Sequence, residues 1–196
     1  MESIAIRPPL IEGAGNDLGD ATAVRDLYAH HVRTGIATFE LEPPSVEDMA
    51  GRIAAVRAAG LPFLLARDPA DGRLLGYAYA GPFRTRPAYR HTVEDSIYLD
   101  PSAMGRGVGT ALLGAVIDRC AATDVRQMVA VITTPGAEAS VALHRKLGFE
   151  EVGHLPAVGR KFGRWLGTLY MQRAIGAGEE TAPRSGQSDS SGQRSG

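Results

Sequence analysis

Apolar and polar positions change period several times along the chain, and each change marks an element. Ser3–Arg7 reads as a first strand, stopped by Pro8 and Pro9. Asp20 suits a helix N-cap, and Val24, Leu27, Tyr28, His31 and Val32 then recur at helical spacing to about Arg33. Gly35 ends that run. Ser45 and Asp48 resemble a capping box ahead of Met49, Ile53 and Val56, a second helix that stops at Gly60, Leu61 and Pro62. Phe63–Arg67 and Leu74–Ala80 predict two strands joined by the turn residues Asp68–Gly72.

Gly81–Tyr89 is a proline-stiffened loop. Thr92–Leu99 alternates as a strand, with Val93, Asp95 and Ile97 on one face and Glu94, Ser96 and Tyr98 on the other. Val108, Leu112, Val116 and Cys120 recur every four residues and predict an amphipathic helix. Met128–Ile132 reads as a buried strand, and Ser140–Leu147 as a short helix closed by Gly148. Phe149–Leu155 and Trp165–Gln172 predict the last strands, around a glycine-rich loop. The order β-α-α-β-β-β-α-β-α-β-β indicates an α/β architecture with both parallel and antiparallel pairing.

Composition narrows the picture. A chain of 196 residues fits one domain with a proper core, about 1–174, and a tail, 175–196, too poor in apolar residues to order itself. A net charge of −1 gives no field that would draw nucleic acid or a membrane surface. No apolar run reaches membrane-spanning length. Cys120 is the only cysteine, so no intramolecular disulfide can form. With no signal-peptide pattern at the N-terminus, the expected compartment is the cytoplasm. No grouping of residues has metal-ligand spacing, so no metal is expected.

The chemistry concentrates after the Thr92–Leu99 strand. Gly105, Gly107 and Gly109 lead into the Val108 helix. No Gly-Lys-Ser/Thr follows, which excludes a Walker loop, and Thr110 stands where a dinucleotide fingerprint has its third glycine. What remains is either a tight connection or a turn whose backbone N–H groups suit a phosphate-bearing ligand. Glu94 could take a proton from an amine, or be a solvated strand-end acid. Arg84 and Arg86 could clamp a carboxylate or phosphinate, or sit free on the surface. Phe39 could wall a pocket or pack in the core. His144 could transfer protons or be structural. His30 and His31 read as structural, and Arg160, Lys161 and Arg164 as solvated.

Residues 93–110 resemble the acetyl-CoA-binding segment of the GNAT N-acetyltransferases. Gly76–Pro82, Tyr89, Thr92–Tyr98, Ser140–His144, Leu147–Phe149 and Gly159–Trp165 sharpen this. Together they resemble the phosphinothricin and methionine sulfoximine N-acetyltransferase group, over most of Ile4–Arg173. The resemblance implies the GNAT fold, a bent mixed sheet splayed between two parallel strands to admit acetyl-CoA. Ile97, Tyr98 and Leu99 would offer backbone groups to the pantetheine arm. Gly105, Arg106, Gly107, Val108, Gly109 and Thr110 would cradle the pyrophosphate, and Ser140 would also contact the cofactor. Glu94 matches the group's general base, and His144 a second residue assigned to catalysis. Phe39, Arg84, Thr85, Arg86, Tyr89, Glu94, Asp95 and Ser96 match substrate-contacting positions. The implied partners are a small amine substrate and a second copy of the chain in a homodimer. Met104 departs from the group's usual Gln or Arg, and Ala137 from its usual Asn.

The resulting expectation is transfer of acetyl from acetyl-CoA to an amino acid-like amine, by direct attack with Glu94 as base. The competing readings are a non-catalytic acyl-CoA-binding regulator, and an acetyltransferase for another small amine or a protein N-terminus.

Overall fold

The computed structural model describes residues 4–9 and 18–183. Their strands form one sheet in the order β1-β2-β3-β4-β5-β7-β6, where β1 is Ala5–Arg7, β2 Phe63–Arg67, β3 Leu74–Pro82, β4 Thr92–Leu99, β5 Gln127–Thr134, β6 Glu150–Lys161 and β7 Arg164–Ala174. All neighbours pair antiparallel except β4 and β5, which run parallel. The helices are α1 (Gly19–Thr34), α2 (Val46–Ala58), α3 (Val108–Ala121) and α4 (Glu138–Lys146). Buried side chains of α1 and α2 pack with Phe63, Leu65 and Tyr77 on one face of the sheet. On the other face α3 packs with Leu64, Ala78, Val93, Met128 and Met171, and Val141 and Leu143 of α4 join it. The mixed architecture expected from the element order is therefore observed.

Local chemistry explains most boundaries. Ser45 accepts from the Asp48 N–H at 3.0 Å and Asp48 accepts from the Ser45 N–H at 3.2 Å, so the capping box is complete. Asp20, expected to cap α1, does not: Leu18 holds the cap position. Asp20 is buried in the first turn and accepts from Arg7 at 2.7 and 2.9 Å and from Arg67 at 2.6 Å. Two guanidinium groups are stronger partners for a carboxylate than one backbone N–H. The pair also staples β1 and β2 to α1.

The last two strands are longer than expected. The glycine-rich stretch is not a loop but the distal half of a hairpin, interrupted between Leu155 and Gly159. Its turn is Phe162 and Gly163, both at positive φ (50° and 75°), the backbone of a two-residue hairpin turn. Ser3, residues 10–17 and residues 184–196 of the expected tail lie outside the described residues. Within the part of that tail that is described, Ile175 is buried, and Gly178 donates to its carbonyl in a turn.

Candidate active site

The parallel ladder between β4 and β5 is short. Thr92, Val93, Glu94 and Asp95 pair with Gln127, Met128, Val129 and Ala130, and there the pairing stops. Beyond it Ser96–Leu99 pair only with β3, and Val131–Thr134 only with β7. The sheet therefore forks. Among the described residues no strand lies against the fork-facing edge of Ser96–Leu99, where an extended chain with amide groups can take the place of a strand.

At the mouth of the fork β4 passes through a 3-10 turn at Pro101–Ala103 into the glycine turn. Gly105 and Gly107 have φ of 74° and 80°, a conformation that L side chains rarely adopt. Gly107 caps α3 with no side-chain hydrogen bond, so the first N–H groups of the helix, on Val108, Gly109 and Thr110, stay available at its positive end. Gly109 packs tightly: a Cβ there would stand 3.2 Å from Leu99 Cδ1 and 3.3 Å from Leu143 Cδ2. Arg106 pairs with Asp68 at 3.7 Å, and Met104 is exposed. At the other side of the fork Ser140 lies in the first turn of α4, behind Ala137, which supplies no side-chain cap. Free N–H groups on two helices and an unpaired strand edge fit the phosphates and amides of acetyl-CoA; what the group supplies when bound is an acetyl on a good leaving sulfur.

Glu94, Ser96 and Tyr98 face the α1 and α2 side of β4. Glu94 is half-buried. Burial raises its carboxyl above the usual range, Arg84 pulls it back and Asp95 pushes it further up. Burial also holds the Tyr98 phenol well above its ordinary value, so it stays protonated. Tyr98 meets Tyr28 edge-on at 5.0 Å. His31 hydrogen-bonds the Leu99 carbonyl at 2.9 Å and so fixes the end of β4.

Arg84 lies over the Phe83 ring at 4.2 Å and donates to the Phe83 carbonyl at 2.9 Å. Thr85, Arg86 and Tyr89 are exposed beside it, with Tyr89 edge-on to Phe83. Phe39 is reached from a different direction. It follows Thr38, whose hydroxyl pairs with Tyr28 at 2.7 Å, and its ring covers Gly159 of β6. Glu40 pairs with Arg52 of α2 at 2.7 Å. Tyr28, Met49, Arg52, Val56, Phe63, Tyr77 and Tyr79 line a cavity of about 100 Å³ on this face.

Two site expectations look different in three dimensions. Asp95 points away from Glu94, into the α3 and α4 side, where its buried carboxylate meets His144 Nε2 at 3.0 Å. Both expected residues, His144 and Asp95, thus lie together, but on the face opposite Glu94. Lys161, expected to be solvated, is buried and donates to the Thr38 carbonyl at 2.8 Å. Its tip position in the hairpin folds it onto the loop after α1, a contact 123 residues distant in sequence. Sequence reasoning singled out neither Arg52 nor Tyr79, and it read His31 as structural, the role its bond to Leu99 gives it. The pairing of Asp95 with His144 was not foreseen, and its one readable signal was an acid on the strand face otherwise made of Val93 and Ile97.

Among the described residues no group of three His, Cys, Asp or Glu is placed to hold a metal, and no helix is long and apolar enough to cross a membrane.

Comparisons with known proteins agree with this geometry. The Acetyltransferase (GNAT) family matches residues 24–149. A phosphinothricin N-acetyltransferase of Alcaligenes faecalis is 50% identical, over 84% of this chain and 82% of its own. An L-methionine sulfoximine/L-methionine sulfone acetyltransferase of Pseudomonas aeruginosa is 48% identical, over 79% of this chain and 89% of its own. The crystal structure of a GNAT superfamily phosphinothricin acetyltransferase from Sinorhizobium meliloti, in complex with acetyl-CoA, superposes with a TM-score of 0.86 at 44% identity and 95% coverage of both chains. The fork, the glycine turn and these matches together place the chain in the GNAT acetyltransferase family, as an acetyl-CoA-dependent enzyme.

Proposed function

We propose that the protein acetylates the amine of a small amino acid-like substrate of the phosphinothricin or methionine sulfoximine type, with Glu94 as general base. The observation that carries the reading is the position of Glu94 on the last paired rungs before the fork, half-buried, with Arg84 near enough to pull on its carboxyl. A carboxylate raised by burial is a better proton acceptor. It takes the proton of the amine, directly or through one water, so that the neutral nitrogen attacks in a single step. Arg84, with Thr85 and Arg86, offers guanidinium and hydroxyl donors to the carboxylate or phosphinate end of the substrate. Phe39 and the aromatic cavity line the side-chain end. The strand edge at Ile97, Tyr98 and Leu99 and the N–H groups from Gly105 to Thr110 hold acetyl-CoA. Tyr98, protonated and on the Glu94 face, is suited to return a proton to the leaving sulfur.

The names of the relatives support this substrate class. CoA release should be measured with phosphinothricin, methionine sulfoximine, a polyamine and a peptide N-terminus. The reading predicts saturable release with the first two at low concentration. Release with the polyamine or the peptide alone would overturn it.

The same reading includes a homodimer. β6 is an edge strand, and Val152, Leu155, Val158, Phe162 and Trp165 are exposed along its hairpin. A run of apolar side chains on an open edge favours a second copy. Light scattering should give twice the chain mass. A monomer at micromolar concentration would refute it.

A further inference from the structure

We propose that Asp95 and His144 form a one-proton latch that sets the opening of the β4–β5 fork, and that both are positioning residues rather than groups that touch the reacting atoms. The inference rests on acetyl-CoA occupying the fork.

The geometry defines the proton count. His144 Nδ1 faces the Ser140 carbonyl at 2.7 Å, and a carbonyl oxygen only accepts, so Nδ1 carries a hydrogen. Nε2 faces Asp95 Oδ2 at 3.0 Å. A nitrogen lone pair against a carboxylate would repel, so a proton lies between them. The side chains are 3% and 1% exposed, and Asp95 Oδ1 is buried with no hydrogen-bond partner. A bare carboxylate in that place would be costly; a carboxylate sharing one proton with an imidazole is not. Burial alone would drive the proton off the ring, but the hydrogen bond and charge of Asp95, with the Ser140 carbonyl, outweigh it and raise the histidine above its ordinary value.

The location gives the latch its purpose. Asp95 opposite Ala130 is the last rung of the parallel ladder. His144 belongs to α4, which follows the other arm of the fork, and its ring lies edge-on to Phe149 at 5.0 Å. The pair therefore ties the arm after β5 back to β4 at the point of divergence, directly behind Glu94. It also holds Ser140 in the first turn of α4. Neither ring nitrogen of His144 is left to meet an amine or a sulfur.

Among the described residues few other titratable groups face the pair. From α3, Cys120 faces Asp95, and burial first, then Asp95, pushes its thiol up to about 12. Glu94, on the opposite face of β4, has its carboxyl raised by burial. On α4 Arg145 pairs with exposed Glu151, and Lys146 is exposed. Arg173 of β7 donates to the Leu147 carbonyl at the end of α4. β5 carries no titratable residue.

The test compares D95A and D95N with the wild type, in kcat, in acetyl-CoA KM and in their pH dependence. An asparagine donates to a neutral Nε2 and keeps the latch closed without the shared proton. The latch predicts that D95A raises acetyl-CoA KM by about tenfold or more, through a buried imidazole left without its partner, and that D95N restores most of the loss. It further predicts that wild-type acetyl-CoA KM rises as pH climbs past the ordinary imidazole range and the shared proton leaves, and that this rise is missing in D95N. A D95N as impaired as D95A, with kcat down about a hundredfold at unchanged KM, would overturn the latch in favour of proton transfer through His144. A D95A equal to the wild type would overturn it too. Absence of CoA release by the wild type itself would instead defeat the reading on which the latch rests.

Discussion

Gly76 of β3 offers the sharpest test of how the fold shapes the fork. A Cβ built there would stand 2.5 Å from Leu99 Cδ2 and 2.8 Å from the Tyr98 carbonyl oxygen, against 3.4 Å where ordinary contact begins. The carbonyl lies on the β3 side of β4, the strand whose other edge is assigned to acetyl-CoA, and it would have to yield by about 0.6 Å. Leu99 cannot absorb the strain alone. Its other methyl is 3.2 Å from the Cβ position of Gly109, and its carbonyl is held by His31. G76A should therefore push the end of β4 toward the start of α3. Overpacking of this kind costs about 1–3 kcal/mol. For a chain of this size that is a fall in Tm of roughly 2–12 °C. The second readout is kinetic: acetyl-CoA KM should rise while acceptor KM holds. G114A is the control, since a Cβ at that α3 position meets nothing within 4 Å; it should stabilise by about 0.5–1 kcal/mol. A G76A protein with wild-type Tm and wild-type acetyl-CoA KM would refute the packing argument.

Two further predictions concern the acceptor side. Because burial holds the Glu94 carboxyl up and Arg84 pulls it down, activity should rise with pH through a value above the ordinary carboxylate range, and R84A should move that limb to higher pH; a limb that stays in place or moves down in R84A would contradict the pairing. G159A would set a methyl against the Phe39 ring, with ring carbons at 2.6 and 2.7 Å, so acceptor KM should rise about tenfold with acetyl-CoA KM unaltered; an unaltered acceptor KM would remove Phe39 from the pocket wall.

Legibility in the sequence followed the range of the interaction. Thr92–Leu99 was readable to the residue because alternation and the following glycines are local signals, and the capping box at Ser45 is a four-residue device. Asp20 misled for a local reason: an aspartate before an apolar periodic run looks like a cap, and the arginines that claim it come from β1 and β2. The hairpin β6–β7 was cut short because its glycines and the Phe162 turn imitate a loop. Lys161 looked solvated because its acceptor, the Thr38 carbonyl, is a backbone atom of the first third of the chain. The site divided the same way. The glycine turn and Glu94 were legible as one strand and one turn. The partition of β4 into a Glu94 face and an Asp95 face was legible as alternation, but the partner that makes Asp95 tolerable comes from α4, 49 residues away.

In the proposed mechanism Glu94 accepts the proton of the acceptor amine at the fork. E94Q keeps the side-chain volume and removes the base, so CoA release with phosphinothricin and acetyl-CoA affinity by calorimetry should be measured on the same preparation. Turnover should fall by about 10²–10⁴-fold while the acetyl-CoA Kd stays within about threefold of the wild type. Wild-type turnover in E94Q, or a loss accounted for by weaker acetyl-CoA binding, would contradict it.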